Sequence, residues 1–356
     1  MLPRGLPQKA VLYYSAPRDA TEDKIARACA QAGLDEVSDD TLEVRAFSGT
    51  GDQVRSLCHV VSNEVTSVEQ ETTRVLLVAS DSEVGVRELI HMEALSSLVA
   101  RVEGERIVEL LRENRLTSWF QPIVELSNGT DVNGGYTVFA YECLARGVDP
   151  DGSLINPGEM FSVAREAGLL FYLDRAARLS AIEHATTHQV SSTIFINFNP
   201  TAIYSPENCL ATTIEAIEKR GIPRERIVFE VVESDSVGEV SHLRSILDYY
   251  RSRGFRVALD DMGAGFNSLL SLNDLRPDFV KMDIELIRGV DADPFKARIA
   301  SNMLDLANKL EIPSVVEGVE NEGEYQWVRE HGAHYAQGFF FARPAPVPPV
   351  PQVSGN

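Results

Sequence analysis

The sequence predicts an α/β protein: a modified (β/α)8 TIM-like barrel with an antiparallel first strand, preceded by a small α/β domain. Three observations predict it. From Leu116 onward, eight short β-rich runs alternate with longer stretches of helical periodicity. The segment joining the first two runs, SNGTDVNGG, is too short for the crossover that parallel neighbours need, so these two strands should pair as an antiparallel hairpin. Residues 1 to about 101 carry a separate alternation of strand-like and helix-like segments.

In the N-terminal part, VLYYS and RVLLVAS read as strands, and residues 21–32 and 83–102 read as helices. Residues 1–104 are assigned to this domain, whose expected role is regulatory. VLYYS is not followed by the acidic pair that would hold magnesium, which argues against a phosphate receiver. The barrel is assigned to residues 105–344. Its strands are LTSWFQPIVEL, YTVFAYECLAR, STIFINFN, RIVFEVVE, RVALDD, FVKMD, PSVVEGVE and HYAQGFFF. Several are apolar on both faces, as strands of a helix-covered barrel should be. Residues 201–221, 237–254 and 294–310 have helical spacing, and Gly221 and Gly254 stand where C-terminal caps belong. Residues 345–356 are proline-rich and expected to be a disordered tail.

Composition narrows the function. A formal net charge of −20 repels nucleic-acid polymers and anionic lipid, so any phosphate ligand needs locally placed cations. No apolar run is long enough to span a bilayer and the N-terminus lacks a secretory pattern, so a cytoplasmic location is expected. Cys29, Cys58, Cys143 and Cys209 form no CxxC pair and read as buried free thiols. HATTH sets His184 and His188 on one helix face, but Ala185 stands where a zinc protease needs its glutamate. GAGFNS lacks the spacing of a nucleotide cradle, and the acidic run EVTSVEQE reads as a solvated helix face.

Active sites of such barrels lie at the C-terminal strand ends, and polar residues concentrate there. In strand order they are Glu142, Asn197, Glu230 and Glu233, Asp260 and Asp261, Lys281 and Asp283, Glu317, and Gln337. Carboxylates converging on one mouth repel each other unless divalent cations neutralise them. A set of carboxylate and amide oxygens without Cys or His suits magnesium or manganese, and the adjacent pair Asp260 and Asp261 can serve two ions. That is phosphodiester chemistry.

FAYECLARG resembles the signature of the EAL family, with Glu142, Leu144 and Arg146 matching and Cys143 in place of the usual alanine. INFNP, FEVVES, ALDDMGAGFNSL, VKMD, VVEGVE and AQGFFFARP continue the resemblance in order over roughly residues 105–344. It implies a phosphodiesterase that hydrolyses cyclic di-GMP to linear pGpG with two magnesium or manganese ions; calcium, larger and tolerant of irregular coordination, should occupy the site and inhibit. Glu142, Asn197, Glu230, Asp260 and Asp261 would bind metal. Lys281 would orient or deprotonate the attacking water, in a catalytic set with Glu317 and Asp261. Arg146, Leu144 and Gln337 would contact substrate, and Glu233 and Asp283 would support the ligands. A homodimer through the barrel is also implied. MGAGFNSL departs from the commoner FGTGYSSL after strand five, which leaves room for altered regulation. The competing readings are a catalytically silent receptor for cyclic di-GMP and a protein-interaction scaffold. The enzyme reading leads because every matching position keeps the expected chemical type.

Overall fold

The computed structural model describes residues 6–37, 44–82, 84–126, 136–232, 240–263 and 268–351. The chain forms two compact units, Met1–Arg115 with Asn156–Leu173, and Leu116–Ile155 with Asp174–Asn356. No described helix is long and apolar enough to cross a membrane.

In the first unit, β1 (Lys9–Ser15), β2 (Asp35–Val37), β3 (Arg45–Thr50), β4 (Arg74–Ala79) and β5 (Glu93–Ala94) form an antiparallel sheet in the order β2-β3-β1-β4-β5. Ala10, Leu12 and Tyr14 alternate along central β1 and pack in one core with Ile25, Leu57 and Leu98 of three helices, Asp19–Gln31, Gly51–Glu64 and Leu95–Arg112. The helix expected over residues 83–102 is split into a short helix, Val86–Leu89, and a long one that starts at Leu95, with β5 between them. Pairing of Arg74 with Ala94 and of Val75 with Glu93 draws the preceding residues into a strand, so sheet pairing overrides local helical pattern. Helix Leu95–Arg112 runs unbroken past residue 104, with Ile107 and Leu110 still buried. Helix Gly51–Glu64 was not anticipated, although Thr50 and Gln53 spell a capping box that the structure forms.

The second unit contains β6 (Leu116–Glu125), β7 (Val138–Val148), β8 (Leu154–Ile155), β9 (Thr193–Asn197), β10 (Ile227–Val232), β11 (Arg256–Met262), β12 (Phe279–Met282), β13 (Ser314–Val316) and β14 (Tyr335–Ala336). The sheet order is β6-β14-β13-β12-β11-β10-β9-β7-β8, and β6 also pairs with β7, which closes a ring of eight strands with β8 as an appendage. Only β6 runs antiparallel to its ring neighbours. The hairpin partners thus pair as expected, while their connection at residues 127–135 lies outside the described residues. Helices Val240–Ser252 and Pro294–Lys309 occupy the expected crossovers, and helix Ala211–Lys219 lies in residues 201–221 after two short pieces that start at Pro200 and Pro206. The proline-rich segment, expected to be disordered, lies against the barrel as far as Pro351. Phe120 and Ala345 exchange backbone hydrogen bonds, and the Tyr141 hydroxyl donates to the Pro349 carbonyl at 3.0 Å.

The barrel interior is layered. Each ring strand sends one residue into an apolar plug formed by Ile123, Ala140, Phe195, Val228, Ala258, Phe279, Val315 and Tyr335. Phe139, beside a register shift in the β6–β7 pairing, stacks on Tyr335 with centroids 3.9 Å apart. Phe279 makes ring contacts with Phe139, Phe195 and Tyr335. Phe279→Ala is therefore expected to destabilise the protein by about 3–5 kcal/mol in urea unfolding. A loss under about 1 kcal/mol would show that the plug refills the space.

Candidate active site

Side chains two residues apart on a strand share a face, so the residue one step beyond each plug residue also enters the barrel. Along the seven parallel strands these are Glu142, Asn197, Glu230, Asp260, Lys281, Glu317 and Gln337; on antiparallel β6 the same step leads back to Gln121. Eight apolar residues are thus followed by eight polar ones, and the sheet geometry brings the predicted site residues together at one level.

Lys281 is the hub of this layer. Its fully buried ammonium lies 3.2 Å from Asp260 Oδ2, 3.3 Å from Glu230 Oε1 and 3.6 Å from Glu142 Oε2, and is paired with Glu317. Two amides bracket Glu142: Asn197 Nδ2 donates to its Oε1 at 2.9 Å and Gln337 Nε2 to its Oε2 at 2.6 Å. Gln337 Nε2 also donates to Gln121 Oε1 at 3.0 Å. Gln121 faces Glu142 across the β6–β7 pair and was missed by sequence reasoning. Its signal was the alternation of the QPI run once the first strand was recognised as antiparallel.

The environment separates the carboxyls. Burial would raise Glu142, but Lys281 and the two amides outweigh it and hold the group below its ordinary value. Among the described residues Glu230 has no amide donor, and burial leaves it well above its ordinary range despite Lys281. Burial likewise raises Asp260 against the pull of Lys281. Burial, opposed by Lys281 and assisted by Asp260 and Glu142, pushes Glu317 up to about 8. Lys281 itself would be lowered by burial, yet its four acidic neighbours drive it well above its ordinary value.

Adjacent strand residues ordinarily point to opposite faces, yet Asp260, Asp261 and Glu317 each present a carboxylate oxygen within 4.8 Å of the others. The ladder register shifts between Leu259 and Met262, and Asp261 takes a left-handed backbone with φ of 56°. This bulge turns both aspartates toward the mouth. Burial, Asp260 and Asp283 together raise Asp261 to about 6. Asp283 itself accepts from the Glu285 amide at 2.7 Å and so caps the turn after β12. Two glycines draw the last loops together. Gly318 has φ of 68°, and a Cβ on Gly338 would lie 2.0 Å from the Val319 carbonyl oxygen.

Leu144 and Arg146 continue the Glu142 face of β7 along the wall, where Leu144 pairs with Trp119. The Arg146 guanidinium lies over the Trp119 ring at 5.5 Å and donates to the Ala145 carbonyl, and among the described residues it joins no carboxylate ion pair. Glu233 lies outside the described residues.

Two outcomes test this geometry. Asp261→Val is expected to melt at a lower temperature than Asp261→Gly, because a β-branched residue is strained where glycine is not; equal melting temperatures would remove the backbone constraint. In metal-free protein, a carboxyl held near 8 is protonated when folded but ionised when unfolded above about 4.5. The folded state then binds more protons, so melting temperature in chelator should fall as pH rises from about 5 to 8. A rise over that range would contradict the assignment.

The EAL domain family model matches residues 105–344. The probable cyclic di-GMP phosphodiesterase PdeG of Escherichia coli (strain K12) is 30% identical over 243 residues, covering 66% of this chain and 45% of PdeG, so the chain spans less than half of that relative. A standalone EAL protein of Vibrio cholerae O395, solved with c-di-GMP bound, is 35% identical, covers 66% of this chain and 95% of that chain, and superposes with a TM-score of 0.59. Klebsiella pneumoniae BlrP1, solved as a manganese and cyclic di-GMP complex, covers 95% of this chain and 96% of that chain with a TM-score of 0.58; at 22% identity it shows likeness of fold alone. With the model covering most of the chain and the charged layer carried on the strands of an eight-stranded ring, this protein belongs to the EAL domain family.

Proposed function

We propose that this chain hydrolyses cyclic di-GMP to linear pGpG with the help of bound magnesium or manganese. The observation that carries the reading is the charge imbalance at Lys281. One ammonium faces Glu142, Glu230, Asp260 and Glu317; Glu230 Oε1 has only that ammonium beside it, and Gln337 Oε1 is buried without a hydrogen-bond partner. Ionised carboxylates in such surroundings need further positive charge. The donors are all oxygens, which fits a hard divalent ion. Glu142, Asn197, Glu230 and Asp260 would hold one ion, and Asp261 with Glu317 a second. Bound there, the ions supply Lewis-acid polarisation of the phosphodiester and acidify the attacking water.

The chain's own residues do the rest. Lys281, kept as an ammonium by its neighbours, donates hydrogen bonds and orients the attacking water. Glu317 beside it is within reach to take that water's proton. The water oxygen forms the new P–O bond, the P–O3′ bond breaks, and the leaving oxygen gains a proton. Arg146 is already set on Trp119 and meets a substrate phosphate from the wall, with Leu144 and Gln337 contacting the nucleotide. Asp283 steadies the turn behind Asp261. The N-terminal residues 1–104 regulate the barrel, which forms a homodimer in the cytoplasm, where calcium inhibits.

Incubation of purified protein with cyclic di-GMP and manganese should give pGpG, and exhaustive chelation should abolish it. Lys281→Met should retain manganese and cyclic di-GMP by calorimetry while turnover falls roughly 10²- to 10⁴-fold. Binding without hydrolysis at any metal concentration would instead support the silent receptor. Undiminished hydrolysis after metal removal would sink the metal assignment.

A further inference from the structure

A second buried charge pair lies outside the mouth. Helix Leu170–Thr187 carries Asp174 and Arg178 one turn apart, both buried, with Arg178 at 0% exposure. Arg178 Nη1 donates to Asp174 Oδ2, and Arg178 Nε donates to Thr213 Oγ1 at 3.2 Å. The other Asp174 oxygen, Oδ1, accepts from the backbone N–H of Asn199 at 2.8 Å. Asn199 follows Asn197 by two residues, and the intervening Phe198 N–H donates to the Glu230 carbonyl at 3.0 Å. The backbone leaving β9 is therefore held from two sides, by β10 and by the Asp174 carboxylate.

A buried ion pair is a poor stabiliser, because desolvation of both charges offsets their attraction. Here the arginine also leaves Nη2 without a hydrogen bond. What the pair does supply is direction: Arg178 fixes one carboxylate oxygen so that the other meets a single backbone amide. That amide sets the exit of β9, and the Asn197 side chain delivered there donates to Glu142.

We infer that Asp174 and Arg178 are positioning residues for the metal site, acting through the Asn199 amide on Asn197 and Glu142. The inference rests on the proposed divalent-cation function. Outer groups that orient ligands typically change metal affinity 10- to 100-fold. In the full chain, Asp174→Leu/Arg178→Met removes both charges together and is expected to stay folded. Its manganese affinity by calorimetry should drop roughly 10- to 100-fold at a melting temperature near that of the wild type. Asp174→Glu retains the charge for Arg178 but displaces the oxygen from Asn199, and should weaken manganese binding in the same direction.

Wild-type protein provides a third reading that does not depend on any variant folding. Coupling is reciprocal, so saturating manganese should slow hydrogen exchange at the Asn199 amide. Unchanged manganese affinity in either folded variant, or unchanged exchange at Asn199, would overturn the inference while leaving the metal function standing. Failure of wild type itself to bind manganese would instead overturn the function on which the inference rests.

Discussion

One lysine ammonium surrounded by four carboxylates is the constraint around which the barrel mouth is organised. At 3 to 4 Å, each attraction to Lys281 is opposed by repulsions among the acids that surround it. Only carboxylates whose charge is spread by further donors escape that competition. Glu142, with two amides on its oxygens, stays acidic, whereas Glu230, Asp260 and Glu317 are pushed upward. The site therefore holds stored electrostatic demand, and a cation that meets it binds to groups already in place rather than gathered from solution.

The backbone had to yield in places to assemble this layer. A regular β11 would send Asp260 and Asp261 to opposite sides; the bulge and the left-handed Asp261 put both on one side. A side chain at Gly338 would collide with Val319, separating the loops that carry Glu317 and Gln337. These departures from regular geometry sit at the mouth, while the plug one step deeper is built from ordinary strand alternation.

That difference explains what the sequence revealed and what it hid. Strand alternation is a local rule, so the ring, its antiparallel β6 and the polar positions at strand ends could be read from single runs such as FVKMD and STIFINFN. Gln121 was hidden because its place depends on strand direction: counted the usual way along β6, the polar step leads toward Glu125. The bulge was hidden because the DD pair sits inside a strand-like run and reads as its continuation, although aspartate is among the residues that accept the left-handed conformation Asp261 takes. In the N-terminal unit, β2 and β5 are only three and two residues long and owe their existence to β3 and β4, so periodicity over residues 83–102 pointed to helix instead.

The two interior layers also divide stability from chemistry. The plug joins all eight ring strands by apolar packing and aromatic contacts, which depend on neither pH nor bound ions. The polar layer above it gains little from its own interactions, since a buried cluster of like charges around one ammonium opposes folding. The ring stays closed because the plug, the surrounding strands and the anchored proline-rich segment hold it. A carboxylate set can then be kept in a state that the fold alone would not favour, which is what the proposed binding of a cation at the mouth requires.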